Sequence, residues 1–119
     1  MFEISKEFHF SASHVLERLP ETHPCSRLHG HNYETIFFFE SETLNEVGFI
    51  IDYNELSTIK KFIDEVLDHR HLNDVMRVNP TAENIAKFLF DQFKPEYQQL
   101  SKVVVKETPK TTASYAAKG

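Results

Sequence analysis

Cys25-Ser26-Arg27-Leu28-His29-Gly30-His31-Asn32-Tyr33 holds the only cysteine of the chain and sets two histidines one residue apart. It runs straight into Glu34-Thr35-Ile36-Phe37-Phe38-Phe39. The alternation from Gly30 to Phe39 reads as a strand, and that strand fixes the rest of the fold. Side chains on a strand repeat every two residues on one face, so His29 and His31 point the same way and can share one metal ion. Imidazole suits zinc, and two histidines from one strand need a further ligand from elsewhere. The strand extends over 30–41, with Tyr33, Thr35, Phe37 and Phe39 on the parity of His31. The run Ile36-Phe37-Phe38-Phe39 implies burial on both faces near its middle.

Upstream, residues 2–12 alternate. Phe2, Ile4, Phe8, Phe10 and Ala12 share one parity, and Glu3, Ser5, Glu7 and His9 share the other. This is a half-buried strand ended by Phe10-Ser11-Ala12-Ser13-His14. Residues 15–29 carry Pro20 and Pro24 among mixed polar residues and read as a long loop, of the kind that is functional or mobile. Downstream, Glu42 to Gly48 is a polar turn. Asp52 and Glu55 form a reciprocal capping pattern before a helix over 53–67, whose apolar stripe is Leu56, Ile59, Ile63 and Val66. Asp68 to Asp74 is polar. Thr81 caps a second helix with Ile85, Phe88, Leu89 and Phe93 on its apolar face, and Pro95 closes it. Val103-Val104-Val105 centres a strand over 101–107, and Thr111 to Ala116 returns as a last strand after Pro109.

The predicted order is ββααββ, an α+β domain spanning 1–119. It has a four-stranded antiparallel sheet with two helices on one face. The other face must be solvated or covered by another subunit. Tyr33, Phe37 and Phe39, on the metal parity, are expected on the face that an oligomer buries.

Composition narrows the function classes. At 119 residues there is room for one core, and 40% hydrophobic residues with eleven Phe argue for an ordered globule. A net charge of -5 argues against a nucleic-acid or anionic-membrane surface. One cysteine forms no internal disulfide, which points to a reducing compartment. Met1-Phe2-Glu3-Ile4 alternates and carries an acid, unlike a signal peptide. The expectation is a soluble cytoplasmic protein.

His14 strengthens the metal reading. It lies just past the first strand, and pairing of the two strands brings it to His29 and His31. Three histidines leave a fourth tetrahedral position open, the layout of a catalytic zinc site. The alternatives are a closed site with Cys25 as fourth ligand, or ordinary surface histidines, as His9 and His23 are taken to be. Cys25 has Arg27 and histidines near it in sequence, neighbours that favour thiolate. That thiolate can be nucleophile, ligand or base. Asp68 can orient His69 for proton relay, but adjacent residues share no helix face, so this needs a non-helical turn. The plainer reading of His69, Arg70 and His71 is cationic dressing of a helix C-terminus. Glu107 can grip a ligand with two parallel N–H donors or be an ordinary strand-end acid.

Taken together, Phe10-Ser11-Ala12-Ser13-His14, Cys25-x-x-x-His29-Gly30-His31-Asn32-Tyr33, Asp52-Tyr53, Leu67-Asp68-His69, Pro80-Thr81-Ala82-Glu83-Asn84 and Lys106-Glu107-Thr108 resemble, in order, the motifs of the 6-pyruvoyl-tetrahydropterin synthase family. The spacing from Cys25 to His29 and the short chain look most like its bacterial 6-carboxy-tetrahydropterin synthase branch. The resemblance implies the tunnelling (T-) fold and a trimer-based homo-oligomer, commonly a hexamer, with sites between subunits. It implies Zn²⁺ on His14, His29 and His31, Cys25 as proton-transferring base, and Asp68 and His69 as a relay from a neighbouring subunit. It further implies Glu107 as anchor of the pterin edge. Arg27 is a candidate for the substrate phosphates. The implied substrate is 7,8-dihydroneopterin triphosphate, and the implied pathway leads to queuosine and related 7-deazapurines. His71, Val15 and Pro109 depart from residues common in the family.

Overall fold

The computed structural model describes residues 1–117. Its elements are β1 (Phe2–His14), β2 (His29–Ser41), α1 (Ser57–Phe62), β3 (Arg70–His71), α2 (Ala82–Phe93), β4 (Leu100–Thr108) and β5 (Thr111–Ala116). The sheet has five strands in the order β3-β1-β2-β4-β5. All neighbours are antiparallel except β1 and β3, which are parallel. The expected four strands and two helices are all present. The fifth, β3, is two residues long and adds to the free edge of β1 at Ala12 and Ser13. So short a piece has no periodicity to read.

The alternation in β1 and β2 sets which face is core. Phe8, Phe10, Ala12 and His14 of β1 are buried, as are Tyr33, Thr35, Phe37 and Phe39 of β2. Phe37 packs edge-on against Phe93 of α2 at 5.9 Å, and Phe39 against Tyr97 at 5.8 Å. This corrects one expectation. The aromatics on the metal parity are the intramolecular core beneath the helices, not the face left for a partner. Parity groups residues onto a face without saying which face the helices take. Removing rings of this size from water contributes about 2–3 kcal/mol each. The opposite face carries Glu34, Ile36 and Phe38, half-exposed, with Lys102 over the Phe38 ring at 4.5 Å.

The helix expected over 53–67 is three geometries in series. A 3₁₀ turn, Tyr53–Leu56, leads into α1, and Ile63–Leu67 is a π turn. The Asp68 amide donates to Ile63 O at 2.8 Å, five residues back, and closes the π turn. The extra residue keeps Ile63 and Leu67 both fully buried. At the start, the Asp52 carboxylate accepts from the Asn54 amide at 2.9 Å as a cap should, while Glu55 contributes its backbone amide to Asp52 O. Thr81 caps α2 as expected, accepting from the Asn84 amide at 3.1 Å. No described helix is long and apolar enough to cross a membrane.

The segment after β1 is pinned rather than loose. Asn73 accepts from the Val15 amide and donates to Val15 O, both at 2.8 Å. Asn79 does the same for Glu17, at 2.9 and 2.8 Å. Each amide side chain imitates one rung of a β-ladder.

Candidate functional site

The β1–β2 register places the histidines. Phe10 pairs with Tyr33, Ala12 with His31 and His14 with His29. Directly opposed residues on one face stand close enough for side-chain contact. His14, His29 and His31 accordingly converge, with one nitrogen from each inside a 4.8 Å span. Their rings lie 4.5–5.1 Å apart, edge to face. This is the group the sequence predicts. The two strands approach closely here: a Cβ on Gly30 would come within 3.3 Å of Ala12 O.

Hydrogen bonds fix the tautomers. His14 Nδ1 donates to Pro80 O at 2.8 Å and His29 Nδ1 to Arg27 O at 2.7 Å. A carbonyl oxygen can only accept, so both protons reside on Nδ1 in the neutral rings. Both Nε2 atoms then present lone pairs, and they face each other at 2.9 Å. His31 Nε2 is buried with no hydrogen-bond partner, 3.4 Å from Glu107 Oε1. Facing lone pairs and an orphaned ring nitrogen cost free energy unless a cation joins them. The donor set therefore fits a divalent metal, and backbone carbonyls behind two ligands are the usual outer support. Burial, the largest influence, holds the His14 pKa below its ordinary value and so keeps that lone pair available. The same cause raises the Tyr33 phenol above its ordinary range, so Tyr33 stays protonated beside His14.

The other predicted residues divide into two groups. Cys25 is partly buried in the short turn Pro24–Ser26 and lies outside the three-histidine cluster. Its backbone is anchored by Leu16 and by the His23 ring, so His23 serves as the turn's cap. Arg27 is exposed at the end of that turn. Glu107, at the end of β4, stands next to His31.

Asp68 and His69 are elsewhere. Asp68 Oδ2 holds His69 Nδ1 at 2.9 Å, and Asp68 Oδ1 accepts from the Ser11 amide at 2.9 Å. That amide, followed by His69, holds the Asp68 carboxyl below its ordinary range. His69 has φ 58°, left-handed for a non-glycine residue, and its amide donates to Ser11 O at 2.6 Å. This is the non-helical turn that a joint role of adjacent residues requires. His71 bonds Ser13 Oγ at 2.9 Å instead, so Asp68 is paired with His69 alone. The dyad borders Ser11 and Asn32, which lie on the sheet face opposite the three histidines. One chain thus does not bring all the predicted residues together. Sequence reasoning missed Ser11, Pro80 and Arg27 as supports, because backbone amides and carbonyls leave no residue signature.

Comparison with known proteins identifies the family. The family profile of 6-pyruvoyl tetrahydropterin synthase matches residues 3–118. The chain is 31% identical to the 6-carboxy-5,6,7,8-tetrahydropterin synthase of Bacillus subtilis, over 98% of this chain and 86% of that protein. It is 29% identical to the protein of the same name from Haemophilus influenzae, over 97% and 99%. A dihydroneopterin monophosphate aldolase of Pyrococcus furiosus is 31% identical over 71% of this chain and 68% of its own length. The 6-pyruvoyl tetrahydropterin synthase of Caenorhabditis elegans superposes with a TM-score of 0.86 at 26% identity, over 98% of this chain and 96% of that one. By sequence and by fold, this chain belongs to the 6-pyruvoyl tetrahydropterin synthase family.

Proposed function

We propose that the chain is a zinc-dependent lyase. It converts 7,8-dihydroneopterin triphosphate and water to 6-carboxy-5,6,7,8-tetrahydropterin, acetaldehyde and triphosphate, on the way to queuosine-type 7-deazapurines. The observation that carries this reading is the trio of histidine nitrogens, two of them aimed lone pair to lone pair. The names of the Bacillus subtilis and Haemophilus influenzae relatives support the product. His14, His29 and His31 would hold the zinc. When bound, zinc supplies Lewis acidity that lowers the pKa of the substrate's side-chain hydroxyls.

This chain's own residues do the rest. Cys25, as the proton-transferring base, takes a proton from one side-chain carbon and returns it to another. Asp68 fixes the His69 proton on Nδ1, which leaves Nε2 to exchange protons with the substrate. Glu107 accepts two parallel N–H bonds from the pterin 2-amino group and N3, and Arg27 is assigned to the phosphate end. The His69 side chain is 83% exposed, too open to exclude water alone. A second copy closing over it, in a trimer-based ring, brings the dyad to a neighbour's histidines.

Incubating the protein with 7,8-dihydroneopterin triphosphate and weighing the products tests the assignment. Acetaldehyde together with the 6-carboxy product is expected. Triphosphate release with a retained three-carbon side chain assigns 6-pyruvoyl synthase activity instead, and no triphosphate release removes the lyase reading.

A further inference from the structure

The limb that leaves β1 is held to the segment before α2 by side chains rather than by backbone. β3 pairs with β1 in parallel, Ala12 with Arg70 and Ser13 with His71. The chain then enters a 3₁₀ turn, Leu72–Asp74, which buries Leu72 completely. The backbone leaves the sheet edge there, but the ladder continues. The Asn73 side chain accepts from the Val15 amide and donates to Val15 O, both at 2.8 Å, and keeps the 58-residue offset of the Ser13–His71 pair. Asn79 then gives Glu17 the same two bonds, at 2.9 and 2.8 Å. A side-chain amide carries a donor and an acceptor side by side, as a peptide group does. A carboxylate in its place only accepts.

What hangs from these rungs is Cys25. The Leu16 amide, between the two clamped residues, donates to Cys25 O at 3.0 Å. The far side of the same turn is tied to the histidines. The Arg27 amide donates to Pro24 O at 3.2 Å, and Arg27 O accepts from His29 Nδ1 at 2.7 Å. The segment that carries Asn73 and Asn79 ends on Pro80, whose carbonyl accepts from His14. One segment therefore holds a histidine of the cluster and, through Val15 and Glu17, the limb that anchors the cysteine.

We propose that Asn73 and Asn79 are positioning residues for Cys25, holding its turn in register with His14, His29 and His31. The inference rests on the reading of Cys25 as the proton-transferring base. Proton transfer needs the two heavy atoms within hydrogen-bond reach, so a turn that wanders lowers kcat more than it weakens substrate binding.

Cys25 is the only cysteine, so iodoacetamide labelling of the full chain with zinc added reads one site. Its sulfur is partly buried, and labelling needs the turn to open. Asn73→Ala loses two hydrogen bonds and is expected to label about tenfold faster. Its kcat on 7,8-dihydroneopterin triphosphate should fall about tenfold with KM little changed. Asn73→Asp, which keeps the acceptor, should fall between Asn73→Ala and the parent. Asn79→Ala, whose bonds to Glu17 are open to solvent, should label roughly threefold faster and carries the test if Asn73→Ala does not fold. In a Cys25→Ala background, Asn73→Ala should remove no further turnover, because it acts through the sulfur. Unchanged labelling in both alanine variants, or an equal loss of kcat with and without the cysteine, overturns the proposal while leaving the lyase reading intact. Labelling that responds as expected in a protein whose parent form turns over no substrate overturns the lyase reading and leaves the placement of Cys25 standing.

Discussion

The two faces of the β1–β2 ribbon are built from the same strands and do opposite things. On the inner face, Phe8, Phe10, Tyr33 and Phe37 run unbroken into His14, His29 and His31, so the three histidines are the last rung of the core. On the outer face, Ser11, Ser13 and Asn32 offer hydroxyls and an amide, and an exposed histidine is held out over them. The inner face is prepared by burial, which keeps His14 neutral and its ring fixed. The outer face is prepared by hydrogen bonds around one acid, and leaves its working atoms in water. A period of two lets one strand pair serve both purposes, each residue type changing sides with the pleat.

The contrast can be broken in four places. The largest effect is expected from His31→Ala, which removes one of the three converging inner-face histidines. Bound zinc by elemental analysis should fall from one per chain toward none, and turnover should drop more than about a hundredfold. Full zinc occupancy in that variant removes His31 from the site.

Cys25→Ala should keep its zinc and lose roughly 10²- to 10⁴-fold in turnover, the range of a missing acid–base group. Loss of zinc in this variant would make the sulfur a ligand. Mixing Cys25→Ala with Asp68→Asn chains, after dissociation and reassembly, should restore activity that neither has alone. Reassembled mixtures as inactive as the parents mean that the two faces do not serve each other across copies.

Next in size is packing. Phe37→Ala should cost about 3–5 kcal/mol by denaturant midpoint, since Phe37 is fully buried among large rings. Truncating its strand neighbour Ile36, half-exposed on the outer face, should cost about 1 kcal/mol in the dissociated chain. Equal costs would mean that the outer face is a second core.

The smallest effect is a pH dependence. The Asp68 pKa is depressed in the folded chain, so its stabilisation is present above the ordinary carboxylate value of 3.8 and is lost as pH falls through the depressed one. The melting-temperature gap between the parent protein and Asp68→Asn should therefore be open at neutral pH and close in strong acid. A gap that widens in acid contradicts the hydrogen bond from the Ser11 amide.

Much of this is legible in the sequence because the chain is locally consistent. Alternation in 2–12 and 30–41 announces two long strands, Thr81 announces α2, and the position of His14 next to a pairing strand announces the third histidine of the cluster. The misplacements have physical causes. Leu56, Ile59, Ile63 and Val66 fit an α period, and the π turn after Phe62 shifts the register without changing which residues are apolar. Phe37 and Phe39 look like partner-facing residues because alternation marks a face but not its cover. Leu72 and Met76, both buried, hide in a stretch dominated by His, Asn and Asp. The lone-pair confrontation at His14 and His29 depends on the carbonyls of Pro80 and Arg27, and any residue type could supply those.

The π turn at Ile63–Leu67 also acts as a ruler. Five residues span what an α-helix covers with fewer, and the surplus delivers Asp68 to the Ser11 amide as the chain leaves the core. Deleting either exposed Asp64 or Glu65 would swing everything after it by about 100° around the axis and carry the carboxylate off its target. Substituting the same two positions should be tolerated. At this point in the chain the count of residues is constrained more tightly than their identity.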